Sequence, residues 1–173
     1  MSLFHYIFDK FYPLIRFIYE RVQGHQWYDP ILPHVWLGGA PTYKRDYEFL
    51  LAQGIGAVVD IRNEREDDLA LYAKHRINHI KLRVPDIAAP SSEIIERGVN
   101  FMRENVEDGR KVYVHCAKGR GRSATLVAGY LMKYEGMSFD EAREFMVTHR
   151  PLVKLEARHE KVLGEWLASS PPA

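Results

Sequence analysis

The residues best equipped for chemistry are gathered in one segment, Val112-Tyr113-Val114-His115-Cys116-Ala117-Lys118-Gly119-Arg120-Gly121-Arg122-Ser123-Ala124-Thr125. An apolar run that reads as a strand delivers Cys116, five residues intervene, and Arg122 and Ser123 open an apolar stretch that reads as a helix. Gly119 and Gly121 allow a tight backbone turn, so that successive N–H groups between Ala117 and Gly121 can aim at a single anion. The positive end of the following helix adds to the same field. With Arg122 beside it, Cys116 should favour the thiolate, and its pKa is expected to fall from about 8.5 towards roughly 4–6. A thiolate under an anion cradle is placed to attack phosphorus. Arg122 supplies a planar fork for two phosphoryl oxygens, a geometry Lys lacks. Ser123 can donate its hydroxyl to the sulfur and help it leave; the alternative is a plain helix cap. His115 reads as a brace for the loop, because a pre-formed thiolate leaves a base nothing to abstract. Lys118 and Arg120 either point to solvent or meet extra negative charge on a substrate.

A leaving oxygen needs a proton, so an acid must face this loop. Asp86 is the candidate: it follows a strand ending at Val84 and sits in the loop Pro85-Asp86-Ile87-Ala88-Ala89-Pro90-Ser91. Asp60 ends an expected buried strand, while Asp67 and Asp68 lie in a charged run that reads as a solvated face. No pattern identifies a metal cofactor, and the chemistry requires none. The single cysteine excludes an intrachain disulfide and a multi-cysteine metal site.

The elements that must position these groups alternate along the chain. The spacing predicts helix over Tyr43 to Gln53, strand over Ala57 to Ile61, helix or loop over Asn63 to Arg76, and strand over His79 to Val84. Helix Ser91 to Val106 and strand Lys111 to His115 follow, then helices Ser123 to Tyr134, Ser138 to Thr148 and Leu155 to Leu167. Gly24 to Pro33 reads as a connector, and Val35-Trp36-Leu37 as a short strand turning at Gly38-Gly39. The expected fold is α/β, a mostly parallel twisted sheet flanked by helices. The expected catalytic domain spans 27–168, after an N-terminal helix and connector over 1–26 and before a short tail, 169–173.

Phe4, Ile7, Phe8, Phe11, Leu14, Ile15, Ile18 and Val22 share one helical face, with Pro13 a candidate kink. That helix either covers the core or rests at a membrane interface with Lys10, Arg16 and Arg21 near headgroups. Charged residues interrupt it, which argues against a transmembrane span or secretory signal and for a cytoplasmic protein, with peripheral membrane contact left as the alternative to core cover. A net charge of +1 leaves no electrostatic footprint for nucleic acid.

The run His115-Cys116, five residues, Arg122-Ser123 resembles the Cys-X5-Arg protein tyrosine phosphatase superfamily, and the short chain looks like its dual-specificity branch. Asp86, 30 residues before Cys116, is spaced similarly to that branch's general acid. Trp27-Tyr28-Asp29, Leu37-Gly38-Gly39-Ala40-Pro41, Asn63-Glu64-Arg65-Glu66 and Ala89-Pro90-Ser91 fall in the order of one subgroup. These are the mitochondrial PTP-like phosphatases and their plant and bacterial relatives, some of which act on phosphatidylglycerophosphate. The subgroup usually reads Asn-Glu-X-Tyr-Glu where this chain has Asn63-Glu64-Arg65-Glu66-Asp67. The resemblance implies a phosphatase working through a phosphocysteine intermediate on phosphoproteins or anionic phospholipids. A dedicated lipid phosphatase, a phosphate-binding module without catalysis, and rhodanese-like sulfur transfer are the competing readings.

Overall fold

The computed structural model describes residue 14 and residues 16–169. Among these, five strands form one sheet in the order β1-β2-β5-β3-β4. They are β1 (Tyr28–Leu32), β2 (Val35–Gly39), β3 (Ile55–Arg62), β4 (Asn78–Val84) and β5 (Lys111–Cys116). β1 alone of the five runs antiparallel, so the expected mostly parallel sheet is present with one reversed edge strand. The helices are α1 (Lys44–Ala52), α2 (Leu69–Lys74), α3 (Ser92–Glu107), α4 (Arg122–Tyr134), α5 (Phe139–His149) and α6 (Ala157–Ser169). Ser91 starts α3 by accepting from Ile94 N–H, and Ser138 with Glu141 forms a capping box at α5.

The expected connector Gly24 to Pro33 is a correction, because Tyr28–Leu32 is the edge strand. Its Pro30 is exposed, and an edge position tolerates a residue with no N–H to donate. Gly38 and Gly39 are strand residues and mark close approach, not a turn. A Cβ on Gly39 would overlap the buried Trp27 ring, and one on Gly119 would overlap the Gly38 carbonyl. The glycines thus let the loop after Cys116 settle directly on β2.

Alternation along β5 sends Val112, Val114 and Cys116 towards the core under α3 to α6. Tyr113 joins the second core, with Trp27, Leu50 of α1, Tyr72 of α2 and Tyr19. His115 shares the parity of Tyr113 and stacks on it at 5.2 Å. The sheet therefore separates the cysteine from the histidine that precedes it.

Much of the anticipated N-terminal face, Phe4, Ile7, Phe8, Phe11 and Ile15 with Pro13, lies outside the described residues. Among those described, the π-helical turn Ile18–Val22 does not turn its apolar residues inward, as covering the core would require. Ile18 and Val22, with Leu14 and Phe17, are exposed, whereas Arg16 and Tyr19 are buried. The Arg16 guanidinium makes two 2.7 Å bonds to Asp46 and lies 5.0 Å from the Trp27 ring centroid. Arg16 is therefore held inside by a paired carboxylate and aromatic faces, and the expectation that it sits near lipid headgroups is overturned.

Replacing Gly39 by Ala should lower the free energy of unfolding by about 2 kcal/mol or more, since Trp27 has no room to retreat. Urea denaturation checks this, and a Gly39→Ala protein as stable as the parent would show that the contact can relax.

Candidate active site

A cavity of about 270 Å³ opens where β5 meets α4, lined by Cys116, Lys118, Arg120, Gly121 and Arg122 and faced by Asp86. The direction of its floor follows from where the loop carbonyls go. Ala117 O accepts from Ala40 N–H at 3.1 Å, and Arg120 O from Lys154 N–H at 2.9 Å. Lys118 O and Gly119 O accept from the Arg150 guanidinium at 2.9 and 3.0 Å. Gly121 O accepts from Thr125 within α4. With the carbonyls drawn outward, the N–H groups of residues 117–121 are turned towards the cavity. Gly119, at φ +63°, is where the turn requires glycine; Gly121 keeps a negative φ.

Cys116 is buried at the head of this floor, and Ser123 Oγ donates to its sulfur at 3.2 Å. Burial raises the thiol pKa, but the Arg122 charge, the Ser123 hydroxyl and the Ser123 and Arg120 N–H groups outweigh it. The result is about 7. That is above the 4–6 expected from sequence because the sulfur is enclosed, which disfavours its charge.

Arg122 is gripped end-on: Nη1 and Nη2 donate to Glu64 Oε2 and Oε1 at 2.8 and 2.7 Å. Nη1 also donates to Val84 O at 3.0 Å, and Nη2 lies 2.9 Å from Asp86 Oδ1. Burial works against the guanidinium charge, yet the Glu64 hydrogen bonds, Cys116 and Asp86 raise its pKa above the ordinary value. The fork anticipated for phosphate is thus taken by Glu64, while Nη2 also reaches Asp86 at the cavity that Arg122 lines.

Asp86 is partly exposed and occupies the second position of a turn closed by Ala88 N–H to Pro85 O at 3.3 Å. The next residue, Ile87, has φ +70°, a left-handed conformation that costs a β-branched side chain on the order of 1–3 kcal/mol. The loop carrying Asp86 is therefore under strain in the position that contacts Arg122.

His115 is wholly buried behind the sheet. Its Nε2 pairs with Asp67 Oδ2 at 2.8 Å, and Asp67 also accepts from Tyr72 OH and from Arg62. The solvated face expected for Asp67 is a correction, since its charge is drawn inside by Arg62 and His115. Asp60, Asp67 and His79 bring their donor atoms close enough together to suit a metal ion on geometry alone. The carboxylates, however, are already engaged by Arg62, Lys81, Tyr72 and His115. This is a charge-compensated brace.

The structure brings Cys116, Ala117, Lys118, Arg120, Gly121, Arg122 and Asp86 together at one cavity, with Ser123 on the sulfur and Gly119 turning the loop behind them, and His115 is not among its lining residues. Lys118 is partly buried and Arg120 exposed, and both line the opening. Sequence reasoning misses Glu64 and Arg150 as site residues. Glu64 sits in the quoted Asn63-Glu64-Arg65-Glu66 element, but its partner is 58 residues away. Arg150 carries no local signal beyond a helix end before Pro151.

Comparison with known proteins agrees with this geometry. The phosphatidylglycerophosphate phosphatase PTPMT2 of Arabidopsis thaliana is 34% identical over 90% of this chain and 68% of its own length. The mouse phosphatidylglycerophosphatase and protein-tyrosine phosphatase 1 is 29% identical over 90% of this chain and 86% of its own. The crystal structure of PTPMT1 in complex with PI(5)P superposes with a TM-score of 0.75 at 27% identity, covering 82% of this chain and 94% of that one. Tk-PTP in its active form gives a TM-score of 0.74 at 27% identity, over 83% and 98% of the two chains. A family model described as "Dual specificity phosphatase, catalytic domain" matches residues 35–168, which take in the whole cavity, and the chain belongs to that family of cysteine-dependent phosphoric monoester hydrolases.

Proposed function

We propose that residues 27–168 form the catalytic domain of a phosphatase whose own substrate is an anionic phospholipid bearing a terminal phosphate monoester. Cys116 thiolate attacks phosphorus, the bond to the leaving oxygen breaks, and protonated Asp86 gives that oxygen its proton. A water then attacks the phosphocysteine, Asp86 takes the water's proton, and the sulfur departs as a thiolate stabilised by Ser123. Residues 117–121 and the Arg122 guanidinium hold the equatorial oxygens where charge spreads. Asp86 lies against Nη2 of Arg122, so an entering phosphoryl group displaces it from Arg122, and with a proton taken up from solvent it serves the leaving oxygen. Glu64 keeps the guanidinium oriented throughout.

The observation that carries the catalytic reading is the Ser123 hydroxyl on the Cys116 sulfur beneath a floor whose carbonyls are all directed away. Support for a lipid comes from the relatives named above and from Lys118, Arg120, Lys154 and Arg158 around the cavity mouth, which suit a substrate with charge beyond one phosphate. Leu14, Phe17, Ile18 and Val22 present an exposed apolar row, suited to peripheral contact with a bilayer. Among the described residues no helix is long and apolar enough to cross a membrane. Phosphoproteins are the second reading, favoured by the mouse relative, which is named both a phosphatidylglycerophosphatase and a protein-tyrosine phosphatase.

A substrate panel separates the two. Phosphatidylglycerophosphate or phosphoinositide in mixed micelles should be hydrolysed with kcat/KM at least about 10-fold above phosphotyrosine and phosphothreonine peptides; the reverse order would make the chain a phosphoprotein enzyme. Cys116→Ser should end turnover while phosphate still binds. Asp86→Asn should slow aryl phosphate hydrolysis by about 10²–10⁴-fold and remove the basic limb of the pH profile. An unchanged rate and profile would remove Asp86 from the mechanism. Iodoacetamide alkylation of Cys116 should rise with pH through a midpoint near 7. In Ser123→Ala that midpoint should move upward, because a donor to the thiolate is lost; a fixed midpoint would deny Ser123 its effect on the sulfur.

A further inference from the structure

The cavity has a wall that no step above uses, built by the start of α6. His159, 2% exposed, belongs to it and lines the same space as Cys116 and Gly121. Its ring is fixed by a reciprocal cap: Glu156 N–H donates to His159 Nδ1 at 2.9 Å, and His159 N–H donates to Glu156 O at 2.8 Å. An Nδ1 that accepts from an amide leaves the proton of the neutral ring on Nε2. Among the described residues that Nε2 has no hydrogen-bond partner, and it stands 3.7 Å from where a Gly121 Cβ would be. Burial, and then the charge of Arg158, lower the pKa of His159 and favour the neutral ring.

His159 lines the open cavity, so its Nε2–H is within reach of a ligand oxygen there. Here the atom is directed at the loop whose N–H groups gather an anion. We propose that His159 is a substrate-binding residue, its Nε2–H donating to an oxygen of the phosphoryl group seated over residues 117–121. The inference rests on the phosphatase reading. A neutral donor would add a directed bond at the phosphorus without adding another full positive charge to hold the phosphate product.

Two substitutions separate this role from helix capping. Asn can place its oxygen near the position of Nδ1 but does not reach the position of Nε2, whereas Gln carries an N–H to it. In a Cys116→Ser background, binding of inorganic phosphate measured by calorimetry should weaken about tenfold for His159→Asn, the size expected for a lost bond to an anion. His159→Gln should restore most of it. Equal affinity with His and Asn, or equal loss with Asn and Gln, would overturn the proposal. A second reading does not depend on either variant: in isotope-labelled Cys116→Ser protein the Nε2–H resonance of His159 should move when phosphate is added, and a resonance that stays put would also overturn it. Failure of phosphate to bind even with His159 intact would count against the phosphatase reading itself, and against this inference with it.

Discussion

The Arg150 guanidinium, buried at the end of α5, reaches the carbonyls of Lys118 and Gly119 from behind the loop and is neutralised by Asp29 of β1. The same group also donates to Trp27 O, so one side chain ties the edge strand, the end of α5 and the loop after Cys116 into one arrangement. An arginine can do this because its five donors lie in a rigid plane. Had those carbonyls faced the cavity, their negative ends would have opposed both a thiolate and a phosphate. Part of the site's electrostatics is therefore set by a residue that does not line it.

The sheet divides labour between its faces. On one, Cys116, Ser123 and Arg122 lie over an apolar core contributed by α3 to α6. On the other, His115, Asp67, Asp60, Arg62 and Lys81 form a closed network in which each buried charge has a partner. Such a network is weak evidence for stability, since the cost of taking its charges out of water offsets much of their attraction. Its position under the last residues of β3 and β5 suits it to keeping the strand end before Cys116 in place.

Chemistry is legible in this sequence where it is local. Strand, cysteine, glycine-bearing loop, arginine and helix start occur within fourteen consecutive residues, Val112 to Thr125, and their order alone implies an anion cradle. The alternation of strands and helices is equally readable. What is not readable depends on distant partners. Asp67 reads as solvated because its neighbours are charged, and nothing nearby reveals His115 and Arg62 as its partners. Arg16 reads as a headgroup cation on an apolar face, yet Asp46, thirty residues on, takes it inside. β1 hides behind Asp29 and Pro30, residues that argue against a strand everywhere except at an edge. The pKa of Cys116 falls less than the sequence implies because the loop's donors are visible there while the enclosure of the sulfur is not.

The contact between Asp86 and Arg122 has a consequence for the end of the catalytic cycle. In the proposed mechanism every phosphoryl group that enters must displace a carboxylate tethered a short distance away, and a tethered group acts at an effective concentration on the order of millimolar. Once Asp86 has released the proton it took from water, its carboxylate can return to Arg122 and replace the interaction that the product gives up. Anions are thus held less tightly than the cradle alone would hold them, and the product's exit becomes an exchange of one negative group for another instead of the exposure of a bare guanidinium.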